Sequence, residues 1–147
     1  MVGRIQPPFA VIGIWLTEQR RLSMKNTLSL LKALSDKNRL RVVAALLFTH
    51  ELCACQIKEL LKITGATVSR HLALLIQVGL VDSQKKGRWV YYRLRKDMPD
   101  FKTLLLWLEQ EIGNTAVVKA DRIMLDDIGS CDMIEMCSKQ HQSGSNP

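Results

Sequence analysis

Apolar residues recur at three- and four-residue intervals through most of Met24–Gly113, and the breaks in that rhythm carry turn chemistry. Thr27–Leu34 puts Leu28, Leu31 and Leu34 on one side of a first helix. Ser35 and Asp36 then read as a cap, followed by a second helix over Arg39–Phe48 with Leu40, Val43, Leu46 and Leu47 turned inward. After a short connection at His50-Glu51-Leu52, a third helix runs from Ala54 to Leu61, burying Ile57, Leu60 and Leu61. Thr64-Gly65-Ala66-Thr67 supplies a turn glycine and capping threonines for a fourth helix, whose stripe is Val68, Leu72, Leu75 and Val78. Gly79 fits the left-handed residue that closes it. The rhythm then changes to alternation, so Val81–Lys85 and Arg88–Leu94 are expected to pair as a hairpin through Lys86-Gly87. Met98-Pro99-Asp100 starts a last helix with Phe101, Leu104, Leu105, Leu108 and Ile112 on one face, ending near Gly113.

The third and fourth helices form a helix-turn-helix, and a helix of this size fits the major groove of DNA. Thr67, Ser69, Arg70 and His71 stand near the start of its second helix, where small polar and cationic side chains reach base edges. The first and last helices carry more apolar surface than so small a domain needs, which predicts a two-fold dimer. Three regions are expected: an extension at 1–23, either loosely attached or translated from a start codon upstream of the true one, a DNA-binding and dimerisation domain at 24–113, and a tail at 114–147. The polar end of that tail, Ser138–Pro147, is expected to be disordered.

Charge sharpens the DNA assignment by its position. The 147-residue chain carries a net charge of +7, and Lys85, Lys86, Arg88, Arg93, Arg95 and Lys96 form an acid-free run on and after the hairpin. Lys85, Lys86 and Arg88 are therefore candidate phosphate contacts. No long apolar run suits a membrane; Phe9–Leu16 is too short, and Arg20 and Arg21 follow it rather than precede it. A cytoplasmic location is expected, with thiols kept reduced.

Four cysteines, Cys53, Cys55, Cys131 and Cys137, are then better read as metal or redox groups than as two disulfides. Cys53 and Cys55 lie at the start of the third helix, where the helix dipole favours thiolates. Side chains two apart on a regular helix diverge by about 200°, so both bind one ion only at a frayed end. An enzymatic dithiol pair would sit beside a strand–helix–strand unit, and neither that pattern nor a catalytic triad or phosphate loop is present, so no enzyme is expected.

Leu34-Ser35-Asp36-Lys37-Asn38-Arg39-Leu40, Glu51-Leu52-Cys53-Ala54-Cys55, Ser69-Arg70-His71-Leu72 and Gly87-Arg88-Trp89-Val90-Tyr91-Tyr92 stand in register. Together they resemble the ArsR/SmtB family of metal-sensing repressors over Met24–Gly113, and most closely its arsenite- and antimonite-sensing branch. The resemblance implies an α+β, mainly helical, winged helix-turn-helix homodimer that leaves operator DNA when the ion binds, with no organic cofactor. It implies Cys53 and Cys55 as inducer ligands, Ser69, Arg70 and His71 in the DNA-reading helix, and Lys86, Gly87 and Arg88 as the wing tip. Arsenite sensors often place a third cysteine where this chain has Lys58, so Cys131 or Cys137 is expected to complete the site. All four thiolates together suit cadmium or lead, the alternative inducers of the same fold. The last helix has no histidine, which argues against zinc there; His50 and His141 read as incidental, with an auxiliary ligand role the lesser alternative for His50. A thiol-redox or persulfide-responsive repressor is the remaining alternative.

Overall fold

A computed structural model describes residues 23–129. The elements are α1 (Met24–Leu34), α2 (Lys37–Phe48), β1 (Leu52–Cys53), α3 (Ala54–Leu61), α4 (Gly65–Gln77), β2 (Val81–Lys86), β3 (Trp89–Leu94), α5 (Pro99–Ile112) and α6 (Ala116–Gly129). Helices predominate and the strands form one antiparallel sheet in the order β1–β3–β2, so this is the mainly helical winged helix-turn-helix anticipated from the sequence. Helix α2 is its axis: Val42, Val43, Ala44, Ala45 and Leu46 are all buried, and it packs on each of the other helices and on β3. Its start is fixed by Asp36, whose carboxylate accepts from Arg39 N at 2.9 Å.

The helix-turn-helix pair turns through Lys62, in the left-handed conformation at φ 54°. Gly65 had been expected to supply that turn, but it is already the first residue of α4. Thr64 caps α4 as expected, accepting from Thr67 N at 3.3 Å, and Val68, Leu72 and Leu75 are buried with Val78 partly so. Gly79 closes the helix at φ 79°, with its N–H bonded to Ile76 O and that of Leu80 to Leu75 O. The hairpin turn lies at Gly87-Arg88, one residue later than predicted, so Lys86 ends β2 and pairs with Trp89.

Two elements have no counterpart in the sequence prediction. The connection after His50 holds β1, which pairs Leu52 with Tyr92 and Cys53 with Tyr91 and makes β3 the central strand. Beyond Gly113, where the packed domain was expected to end, α6 adds Val118, Leu125 and Ile128 to the buried set. It also buries Asp121, which takes a bidentate ion pair from Arg41 (Nε–Oδ2 2.8 Å, Nη2–Oδ1 2.6 Å). The same Arg41 Nη2 donates to Leu60 O at 3.1 Å, so one guanidinium ties α2, the end of α3 and α6 together. The pair holds Arg41 above its ordinary pKa, first through the hydrogen bond to Asp121 and against the cost of burial.

On the outside, Met24, Leu28 and Leu31 form an exposed apolar stripe along α1, at spacings of four and three. Leu28 and Leu31 thus face solvent, and the residues that α1 buries are Ala33 and Leu34. On α5 Leu105 and Leu108 are buried while Leu106 and Trp107 are exposed.

Candidate DNA interface and thiol site

The start of α4 leaves Ser69 and Arg70 exposed, with Thr67 partly covered. Its lack of any intramolecular partner among the described residues suits Arg70 to meet an external acceptor. His71, expected beside it as a DNA reader, points elsewhere. Its side chain is only 12% exposed and its Nδ1 lies 3.9 Å from Asp36 Oδ1 and 3.4 Å from Arg39 Nη1. The reason is positional: residue 71 is three after Val68 and four before Leu75, on the edge of the buried stripe. His71 therefore joins the Asp36 cap network rather than the exposed start. Arg39 completes that network by donating to Lys32 O and Ala33 O at the end of α1. Asp36 is held below its ordinary pKa, chiefly by the hydrogen bond from Arg39 N, with Arg39 and His71 charges adding to it against desolvation.

The wing divides its cations in two. Lys85 and Arg88 are exposed and have no intramolecular partner among the described residues. Lys86 is engaged: its Nζ lies 2.6 and 2.7 Å from the two carboxylate oxygens of Glu51 and 5.2 Å from the centroid of the Tyr91 ring. The ordinary phosphate role expected for Lys86 thus competes with an internal carboxylate. The Glu51–Lys86 pair spans 35 residues of sequence, and no local pattern marks it. At the base of the wing Arg93 pairs with Asp82 at 3.3 Å.

Cys53 and Cys55 occupy different kinds of backbone. Cys53 is extended (φ −86°, ψ 163°) at the end of β1, is 2% exposed, and donates its N–H to Gln56 Oε1 at 2.9 Å. Cys55 lies in the first turn of α3 and is partly buried. The divergence expected of two cysteines on one regular helix does not apply, because the first of them is in the strand. Cys53 is buried and outside any disulfide, whereas Cys55 is disulfide-bonded, contrary to the expectation that every thiol is reduced. Across the sheet, burial and then the neighbouring Cys53 raise the pKa of Tyr92 above 10.0.

Among the described residues no three His, Cys, Asp or Glu side chains gather as a metal cluster. Cys131, Cys137 and His141, like residues 1–22, lie outside the described residues. His50 is exposed. With Cys55 reduced, two sulfur donors at the start of α3 suit a thiophilic ion, and a third donor has to come from elsewhere. No helix among the described residues is long and apolar enough to cross a membrane.

Residues 36–83 match the family model described as bacterial regulatory protein, arsR family. The chain is 47% identical over 64 residues to the cadmium resistance transcriptional regulatory protein CadC of Listeria innocua, covering 44% of this chain and 54% of that protein. It is 42% identical over 72 residues to the arsenical resistance operon repressor of Escherichia coli K12, covering 49% and 62% respectively. The matched segment thus spans less than two thirds of either relative. In three dimensions the chain is similar to reduced HlyU from Vibrio cholerae, with a TM-score of 0.54 and 26% identity over 65% of this chain and 97% of that one.

Proposed function

From the match of residues 36–83 to the arsR family of bacterial regulatory proteins, we propose that the chain is a cytoplasmic transcriptional repressor of that family. It binds double-stranded operator DNA as a homodimer and releases it when arsenite or antimonite is bound by cysteine thiolates. The observation that carries this reading is the placement of Cys53. Its backbone belongs to the sheet that continues into the basic wing, and it opens α3, the helix packed against DNA-reading α4. An ion held there touches both parts of the DNA-binding unit at once.

On the DNA side, Arg70 and Ser69 read base edges, Thr67 supports the helix start, and Lys85 and Arg88 neutralise phosphates. Self-association uses the exposed stripe of α1 (Met24, Leu28, Leu31) together with α5, where Trp107 is 54% exposed. On the thiol side, with the Cys55 disulfide reduced, Cys53 and Cys55 hold the inducer and Cys131 or Cys137 completes the three sulfurs that arsenite prefers. Cadmium or lead would instead draw on all four.

The test is a labelled duplex from the chain's own upstream region, titrated with reduced protein and then with arsenite, antimonite, cadmium and lead in turn. Release by arsenite and antimonite at the lowest concentrations is the expected result; release by cadmium or lead alone reassigns the inducer. A second reading, a repressor switched by thiol oxidation, is favoured by one observation, the disulfide at Cys55. It predicts release by oxidant and none by ions while the thiols are kept reduced.

A further inference from the structure

We propose that Glu51 is a latch on the wing, holding Lys86 away from DNA phosphate and joining the wing to the thiol strand as one moving body. Glu51 stands two residues before Cys53, at the entry to β1, and Lys86 is the last residue of β2. The two edge strands are thus bridged across the central strand β3. The bridge has close geometry, with both carboxylate oxygens within 2.7 Å of Nζ. It is also partly sheltered, the two side chains being 20% and 44% exposed. Beneath it lies the Tyr91 ring, whose backbone pairs with Cys53 on one side and Gln84 on the other. Residues directly opposite in an antiparallel ladder share a face, so Cys53, Tyr91 and Gln84 do so. Lys86, two residues after Gln84, projects from that face as well.

Two consequences follow from this placement. The wing tip has three cations, but Glu51 offsets one of them, so Lys86 reaches a phosphate only by giving up a carboxylate of equal charge. And any displacement of β1 is passed to the wing directly, through the β1–β3 ladder and through Glu51, without first moving α4. The second consequence rests on Cys53 being part of the inducer site; the first does not.

The experiment is a double-mutant cycle on operator binding with Glu51→Gln, Lys86→Met and the double variant, each measured over a range of salt with and without sodium arsenite. Glu51→Gln is expected to free Lys86, raising operator affinity several-fold and steepening the salt dependence by about one unit. In the Lys86→Met background the same substitution is expected to change neither. With arsenite, Glu51→Gln is expected to release DNA at least tenfold less well than the parent protein while titrating the same number of thiols. The charge-reversed pair Glu51→Lys/Lys86→Glu is expected to restore release. An unchanged salt slope in Glu51→Gln, or equal effects of that substitution with and without Lys86, overturns the latch. If the parent protein itself ignores arsenite while the salt slope still steepens, the inducer assignment fails and the latch stands.

Discussion

Helix α4 begins in solvent, while α3, its partner in the helix-turn-helix, begins inside a sheet. At the start of α4 a threonine caps the chain and Ser69 and Arg70 stand exposed, with no side chain among the described residues to hold them. At the start of α3 the capping position is Cys53, buried and paired with Tyr91 in the ladder. The far end of α3 is pinned as well, by Arg41 on Leu60 O. One helix is built to meet an external partner and the other to be held. A signal received at the held helix reaches the sheet and its neighbour because α3 has little freedom to absorb it, whereas a ligand at the free start of α4 would have nothing to push against.

That contrast can be broken most severely at Asp121. Its carboxylate holds the Arg41 fork bidentate, so Asp121→Ala leaves a largely buried guanidinium without its counter-charge and with only its bond to Leu60 O to keep it in place, which loosens the hold on α3. The expected loss is about 3–5 kcal/mol of folding free energy, read by urea unfolding. Replacing both partners with apolar residues, Arg41→Met with Asp121→Leu, is expected to recover most of it. If Asp121→Ala is as stable as the parent, α3 is not held at that end.

On the free side, Arg70→Ala is expected to leave stability unchanged and to cost about 1–3 kcal/mol of operator binding, roughly ten- to hundredfold in affinity. Binding to unrelated duplex should change far less. His71→Ala should do the reverse, lowering stability and sparing discrimination, since His71 faces Asp36 and Arg39. Equal losses of discrimination from both substitutions would put His71 back in the groove.

These two residues show how much of the site could be read in advance. The α4 stripe, its threonine cap, Gly79 and the basic hairpin were legible because each is a local pattern of apolar spacing or turn chemistry. The same spacing, followed strictly, also places His71 beside Val68 and Leu75, so its inward orientation was available and missed. Strand β1 was not legible, because two residues carry no alternation. Helix α6 was obscured by Asp121, which occupies a stripe position between Val118 and Leu125. A buried acid there makes sense only with Arg41, 80 residues away. Glu51 and Lys86 meet through sheet topology alone. Local chemistry reads from sequence; the long-range pairs that hold the switch do not.

Helix α6 decides where the tail can be removed without disturbing the packed domain. A cut after Gly113 would remove Asp121 and the α6 core residues together with the tail cysteines. Truncation after Gly129 isolates the tail, and is expected to keep DNA binding while blunting the response to arsenite.

A smaller effect is expected at the start of α2. Asp36→Ala removes a cap and is expected to cost about 1 kcal/mol. The carboxyl's pKa is lowered in the folded state, so its contribution is present above the ordinary value of 3.8 and is lost as pH falls through the lowered one. The parent and the variant should therefore converge in stability toward strong acid. Smallest of all, Lys85→Ala and Arg88→Ala are each expected to reduce the salt slope of DNA binding by about one without altering sequence preference.

The division between a held end of α3 that receives the ion and a free end of α4 that reads DNA stands or falls at Cys53. Serine keeps the size and the capping position of Cys53 and removes the thiolate. Operator binding by Cys53→Ser should match the parent when both are reduced, and adding arsenite should release the parent's DNA and leave the variant's bound. Full release of the variant by arsenite would contradict the claim.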